Sequence, residues 1–188
     1  MTDNSKLIPP HGGYRDLKSY QMAEIVYDAT DKFCARFIDK KSRTTDQMIQ
    51  AARSGKQNIA EGSMASGTSK KIELKLVGIA RASLEELLLD YQDFLRQRNL
   101  PLWNKNDPEV IKIRKIGSNI NRSYMSYKTY VEDGSKESAA NTIICIIHQT
   151  NYLLDQLLRK LEKDFLKEGG FTERLYQIRK SYKRGENI

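Results

Sequence analysis

His148, Asn151 and Asp155 fall at steps of three and four in IICIIHQTNYLLDQL, so a helix would carry them on one face. An imidazole with polar groups one and two turns on is the outline of a proton relay, but acid-base chemistry needs a second positioned group that this chain does not supply. The only other histidine, His11, stands in a Pro- and Gly-rich arm. The simpler reading makes His148 a histidine hydrogen-bonded at the edge of a core. Cys34 and Cys145 lie inside apolar helical patterns without CxxC spacing and read as buried free thiols. Glu85, Asp90 and Asp93 offer paired carboxylates, yet such pairs are what the solvated side of a helix looks like. There is no GxxxxGK[ST] or GxGxxG loop, no HExxH and no ExxH pair. No enzyme, metal or cofactor is expected.

Asn58 and Glu61 stand out differently. They sit in GKQNIAEG, among small residues where close packing leaves little room for unpaired polarity. If buried, they need hydrogen-bond partners, at the neighbouring backbone or at Arg81.

The elements that position these groups are helical. From Thr44 to Arg98 the chain reads as a short helix, a small-residue elbow and a long amphipathic helix. In the long one, Ile72, Leu76, Ile79, Ala80, Ser83, Leu84, Leu87, Leu88, Tyr91, Phe94 and Leu95 define the apolar stripe, and Glu73, Arg81, Glu85, Asp90, Asp93 and Arg96 lie off it. The short one, roughly 45–61, is lined by Ala51, Ala52, Ser54, Gly55, Ala60 and Gly62, with Thr44 or Thr45 as its cap and Gly62 as its end. A first helix is expected over about 16–40, with Tyr20, Ala23, Tyr27, Thr30, Cys34, Phe37 and Ile38 inward. Thr68 or Ser69 caps the long helix, and Pro101 stands just past its end as a break. Asp107-Pro108 opens a further helical segment to residue 131, and a final long helix spans about 138–167. Trp103 is expected to cover the end of the core. Tyr124, Tyr127 and Tyr130 read as core edge, with base stacking as the minority use. The fold class is therefore all-α: an up-and-down four-helix bundle in one domain, 1–188. It carries a flexible arm at 1–14, a helical insertion at 101–136 and a basic C-terminal appendage at 170–188 that includes a short helix.

The 188 residues are 39% hydrophobic, enough for a real core. No run approaches the roughly 18 apolar residues of a membrane span, and the N-terminus lacks a signal-like apolar stretch, so a soluble cytoplasmic protein is expected. The formal charge is +8. Between Arg159 and Arg184 nine basic residues face four acidic ones, so five of those eight charges belong to one segment. A localised field of this kind marks a face for a polyanion.

The run Ala51-Ala52-Arg53-Ser54-Gly55-Lys56-Gln57-Asn58-Ile59-Ala60-Glu61-Gly62, then Ser69-Lys70, Glu73 and Ile79-Ala80-Arg81-Ala82-Ser83-Leu84-Glu85-Glu86-Leu87, closely resembles the signature of the four-helix bundle proteins of the 23S rRNA intervening-sequence family. The resemblance is best over residues 16–98. It implies a homo-oligomer, often a pentamer, and a kinship with the basic accessory subunit of diversity-generating retroelement reverse transcriptases. It brings no catalytic residue, so Asn58, Glu61, Gly62 and Arg81 carry over only as structural signature positions. Arg53 and Lys56 stand where the family commonly has apolar or proline residues.

The function expected from these readings is a non-enzymatic, oligomeric bundle that binds RNA or DNA, or a protein that handles nucleic acid. The expected phosphate contacts are Lys112, Lys115, Arg122, Lys163, Lys167, Arg179, Lys180, Lys183 and Arg184. They would position a backbone and read no sequence. The alternative is an interaction scaffold or accessory subunit without nucleic acid. Oligomerisation is also expected from the wide apolar surface of helix 138–167, where Ile144, Ile146, Leu153 and Leu157 broaden the stripe of Ile143, Ile147, Leu154, Leu158, Leu161 and Phe165.

Overall fold

The computed structural model describes residues 8–184, and all their regular structure is helical. After a 3-10 turn at Tyr14–Asp16 come α1 (Lys18–Phe37), α2 (Arg43–Ala65), α3 (Lys70–Gln97), α4 (Pro108–Gly117), α5 (Lys136–Glu168) and α6 (Phe171–Lys183). Each of α1, α2, α3 and α5 packs on two of the others, in the cycle α1, α2, α3, α5. The connections α1–α2 and α2–α3 are short, which makes these neighbours antiparallel. The N-terminal seven residues of the expected arm and the last four of the appendage lie outside the described residues.

Local chemistry explains the helix boundaries. Ser42, and neither threonine, caps α2 by accepting from the Thr44 amide at 3.2 Å. Ser69 caps α3 by accepting from the Ile72 amide at 3.2 Å. At the end of α3, Asn99 adopts φ 52°, the left-handed conformation that asparagine tolerates. It lets the Leu100 amide reach the Leu95 carbonyl, 3.0 Å away, before Pro101 stops the helix. Gly62 does not end α2, which runs one turn further to Ala65. A Cβ at Gly62 would stand 3.3 Å from the Glu73 carbonyl oxygen and 3.4 Å from Leu76, so this glycine serves the close crossing of α2 and α3.

That crossing also corrects the stripe on α3. Glu73, Val77, Ala80, Leu84, Leu87, Leu88, Tyr91, Phe94 and Leu95 are buried, whereas Ile72 and Ile79 remain exposed. In the first turns, which rest on α2 at Gly62, the inward line runs one residue later than expected, at Glu73 and Val77, and from Ala80 to Leu95 it follows the expected stripe. In α1 the buried line passes through Met22, Val26, Ala29, Phe33 and Cys34, so the core-facing side is centred away from Tyr20 and Tyr27. Phe33 packs edge-on against Tyr91 at 4.9 Å and Phe94 at 4.8 Å, and the Tyr91 hydroxyl donates to Thr30 Oγ1 at 3.1 Å.

The segment 108–131 is not one helix. α4 stops at Gly117, a 3-10 turn occupies Tyr124–Ser126, and a π-helical turn spans Thr129–Asp133. Ser118 Oγ returns to the Arg114 carbonyl and Asn119 Oδ1 accepts from the Asn121 amide, local bonds that compete with continued helix. The aspartate at 107 precedes Pro108 as expected, but its carboxylate accepts from the Asn104 amide at 2.8 Å and does not cap α4. Asn141 on α5 pins the entry to the insertion: its Oδ1 accepts from the Trp103 amide and its Nδ2 donates to the Pro101 carbonyl, each at 2.9 Å. The Trp103 indole donates to Glu137 at 2.9 Å and the ring packs on the core. Val110 and Ile113 of α4 cover the first half of α5, so Ile144 and Cys145 are buried within the chain. Leu153, Leu157 and Leu158 further along α5 stay half-buried.

Candidate functional site

α4 lies on α5 through Val110 and Ile113, one turn apart, and Arg114 projects from the same side of that short helix because it comes four positions after Val110. Its guanidinium Nη1 donates to the Lys105 carbonyl at 2.9 Å, which fixes the group beside His148 of α5. After α4 the chain turns at Ser118 and brings Arg122 back onto α1. There Arg122 Nη1 donates to the Asn119 carbonyl at 2.9 Å and Nη2 to Gln21 Oε1 at 3.3 Å, with Nε against the Met22 sulfur at 3.2 Å. Between α1, α4 and α5 these residues leave a cleft of about 570 Å³, walled by Lys18, Arg114, Arg122, His148, Gln149 and Tyr152. A second cleft of about 330 Å³ adjoins it, with Arg114 and His148 common to both and Trp103 and Lys105 on its far side.

No described carboxylate lines either cleft. Lys18, Arg114 and Arg122 form no ion pair among the described residues, and both arginines spend their hydrogen bonds on neutral acceptors. Their charge is therefore positioned without being cancelled. Burial lowers the pKa of His148; Glu85 draws it up, while Arg114 and Arg81 lower it further.

The relay suggested by His148, Asn151 and Asp155 is not assembled. Asn151 Nδ2 donates to Glu85 at 3.4 Å, Arg81 Nη1 to the same carboxylate at 2.6 Å, and Arg81 Nε to Asp155 at 3.3 Å. The two polar groups thus tie α3 to α5, and Arg81 is the centre of that tie. Asn58 is clasped within α2 instead: its Nδ2 donates to the Ser54 carbonyl at 2.9 Å and to Ser54 Oγ at 3.0 Å. Glu61 is exposed and Gly62 is buried. Burial pushes the Cys34 thiol up to about 12 and raises Cys145, which leaves both as inert core thiols.

The expected phosphate contacts separate into three groups. Lys112 and Lys115 are exposed on α4 outside both clefts. Arg122 alone of the nine lines the larger cleft. Lys163, Lys167, Arg179, Lys180, Lys183 and Arg184 are exposed on the end of α5 and on α6. No other helix packs extensively against α6, whose Leu175, Tyr176, Arg179, Lys180 and Lys183 share one surface. Its one acidic residue, Glu173, is occupied in accepting from the Gly170 amide at 2.9 Å. The tyrosines are not a stacking ladder. Tyr127 is fully buried, Tyr124 donates to Glu132 at 2.7 Å, and Tyr130 packs on the core. Sequence reasoning missed Lys18, Arg114 and Tyr152. For Arg114 a signal existed, since its step of four from Val110 puts it on the α5-facing side.

The molecule is a helical bundle with an added helical layer on one face and an uncancelled basic cleft beneath it. Residues 15–107 match the family model of the 23S rRNA-intervening sequence protein. The match holds α1, α2 and α3 whole and stops at the residue before α4, so both clefts depend on chain beyond it. No curated protein and no solved structure matches the chain. Among the described residues no group of three or more His, Cys, Asp or Glu side chains could hold a metal ion. No described helix is long and apolar enough to cross a membrane.

Proposed function

We propose that this protein is a non-enzymatic, single-domain bundle that binds nucleic acid through the basic end formed by α6 and the last turns of α5. The observation that carries this reading is α6 itself. It stands off the bundle with Arg179, Lys180, Lys183 and Arg184 exposed and in no ion pair among the described residues. Cations left free on a projecting helix exchange counterions for phosphates, and binding of that kind positions a backbone without reading its bases. Lys163 and Lys167 extend the same surface along α5. Lys112 and Lys115 are further contacts on α4.

Fluorescence anisotropy with labelled RNA and DNA, single-stranded and duplex, across a salt series tests the proposal. Affinity should fall steeply with salt. The quadruple variant Arg179→Gln/Lys180→Gln/Lys183→Gln/Arg184→Gln should bind every ligand more weakly, with a salt slope flatter by roughly 0.7–0.9 for each phosphate it no longer neutralises. Equal affinity and slope in variant and wild type would remove α6 from the interface. Absence of binding at low salt, with one stoichiometric protein such as a reverse transcriptase recovered instead, would favour the accessory-scaffold reading.

A homo-oligomer, with a pentamer as the form the family resemblance suggests, belongs to the same proposal. The half-buried Leu157 and Leu158 on α5 support it, whereas Ile144 and Cys145 are covered within the chain and do not. Sedimentation at micromolar concentration should show a species larger than 21.7 kDa.

A further inference from the structure

The larger cleft between α1, α4 and α5 has properties that the basic end of the molecule lacks. Its cations come from three separate elements: Lys18 from α1, Arg114 from α4 and Arg122 from the turn after it. Both guanidiniums are held in place by neutral acceptors, so an incoming anion meets ordered donors and displaces no carboxylate. Its volume of about 570 Å³ lies in the range of small-molecule sites and far exceeds what a bare inorganic anion fills. The remaining wall mixes polar groups, Ser118, His148 and Gln149, with apolar and aromatic ones. Met22 and Leu153 line it, and the Tyr152 ring stands at its mouth, 63% exposed. A ligand suited to this wall joins an anionic group to a planar or apolar body.

We propose that this cleft binds a nucleoside monophosphate unit, with its phosphate at Lys18, Arg114 and Arg122 and its base against Tyr152 and Leu153. Two sources share that chemistry: a free nucleotide and the 5′-phosphorylated end of a nucleic-acid strand. The inference does not rest on α6, because none of the cleft residues belongs to it.

The chain has two histidines, so the ring protons of His148 can be assigned in a proton NMR spectrum by comparison with a His148→Gln variant. Adenosine 5′-monophosphate, titrated into the full chain, should shift the His148 signal saturably. Its phosphate should also raise the histidine's pKa from its lowered value. Lys18→Gln changes an exposed side chain that makes no hydrogen bond among the described residues. It should weaken binding by about tenfold while leaving the fold intact. Arg114→Gln should weaken it at least as much. The α6 quadruple variant should bind the nucleotide like wild type, which separates this proposal from the preceding one. Adenosine alone and inorganic phosphate alone should each bind more weakly than the nucleotide. Saturation by free nucleotide assigns the first source. A shift produced only by a 5′-phosphorylated oligonucleotide, and not by its 5′-hydroxyl counterpart, assigns the second. A His148 signal unmoved by either ligand at about 10 mM would overturn the proposal. So would equal binding in wild type and Lys18→Gln, or inorganic phosphate binding as tightly as the nucleotide.

Discussion

Ser83 Oγ on α3 donates to Ser54 Oγ on α2 across 3.0 Å, and the same Ser54 oxygen accepts from Asn58 Nδ2 at 3.0 Å. One hydroxyl thus joins two helices and satisfies an amide that α2 holds half-buried. Ser54→Ala should cost about 1 kcal/mol, because both donors lose an acceptor. In a double-mutant cycle by chemical denaturation, Ser54→Ala and Ser83→Ala should be clearly non-additive. Additive effects would show that the bond contributes nothing between the helices.

Two glycines should respond to alanine in opposite directions. A Cβ at Gly55 would stand 2.6 Å from Leu84 Cδ2, a fully buried side chain, whereas a Cβ at Gly78 meets nothing within 4 Å. Gly78→Ala should stabilise by about 1 kcal/mol through helix propensity alone. At Gly55 the same gain opposes an overpacking cost of about 1–3 kcal/mol, so the net change should be destabilising. Thermal unfolding of the two variants side by side checks both signs.

Glu73 faces the core in the first turn of α3, with Lys70 Nζ 3.2 Å away. Burial raises its pKa, Lys70 and Lys160 draw it back only in part, and Asp164 adds to the rise. The folded state therefore holds this proton more tightly than the unfolded state. The stability it contributes is present below the ordinary value of 4.5 and is lost as pH rises through the elevated one. Glu73→Gln should have a higher Tm than wild type at pH 7, and the gap should close as the pH approaches 4.5. A lower Tm at pH 7 would mean that the Lys70 contact outweighs desolvation.

For His148 the sign reverses. Burial comes first among the causes that lower its pKa, followed by Arg114 and Arg81, with Glu85 opposing and Lys18 and Arg122 on the same cleft wall. The unfolded chain binds this proton more readily. The contribution to stability is complete above 6.5 and declines as pH falls through 6.5 toward the lowered value. His148→Gln should flatten the Tm profile across that interval, and an unchanged profile would count against the lowered pKa.

The bundle was legible because its signals are periodic and local: Ser69 as a cap, Pro101 as a stop, the alternating threes and fours of α3 and α5. The phase of a stripe was less so. Ile72 and Ile79 are as apolar as any core residue, and only the crossing at Gly62 turns them outward. The charge-rich α6 could be seen in composition, but the larger cleft could not. Lys18 and His148 are 130 positions apart in the numbering and line one cleft because α1 packs on α5, while α4 and the return of the chain at Arg122 close its other sides. Tertiary return of that sort leaves no trace in a local pattern. The burial of Tyr127 and the hydrogen bond of Tyr124 to Glu132 were hidden for the same reason: their regular spacing outlasts the helix that spacing implies, which ends at Gly117.

Arg36, near the end of α1, donates to the carbonyls of Val131, 95 positions later, and Gly134, 98 positions later, where the π-helical turn hands over to α5. On a ribosome these acceptors are made long after α1, so Arg36 waits for them until most of the chain has emerged, although α2 and α3 are already there to cover Phe33. Synthesis order thus lets α1, α2 and α3 pack as they emerge, and α5 closes the cycle against α1 and α3 as a late, long-range step.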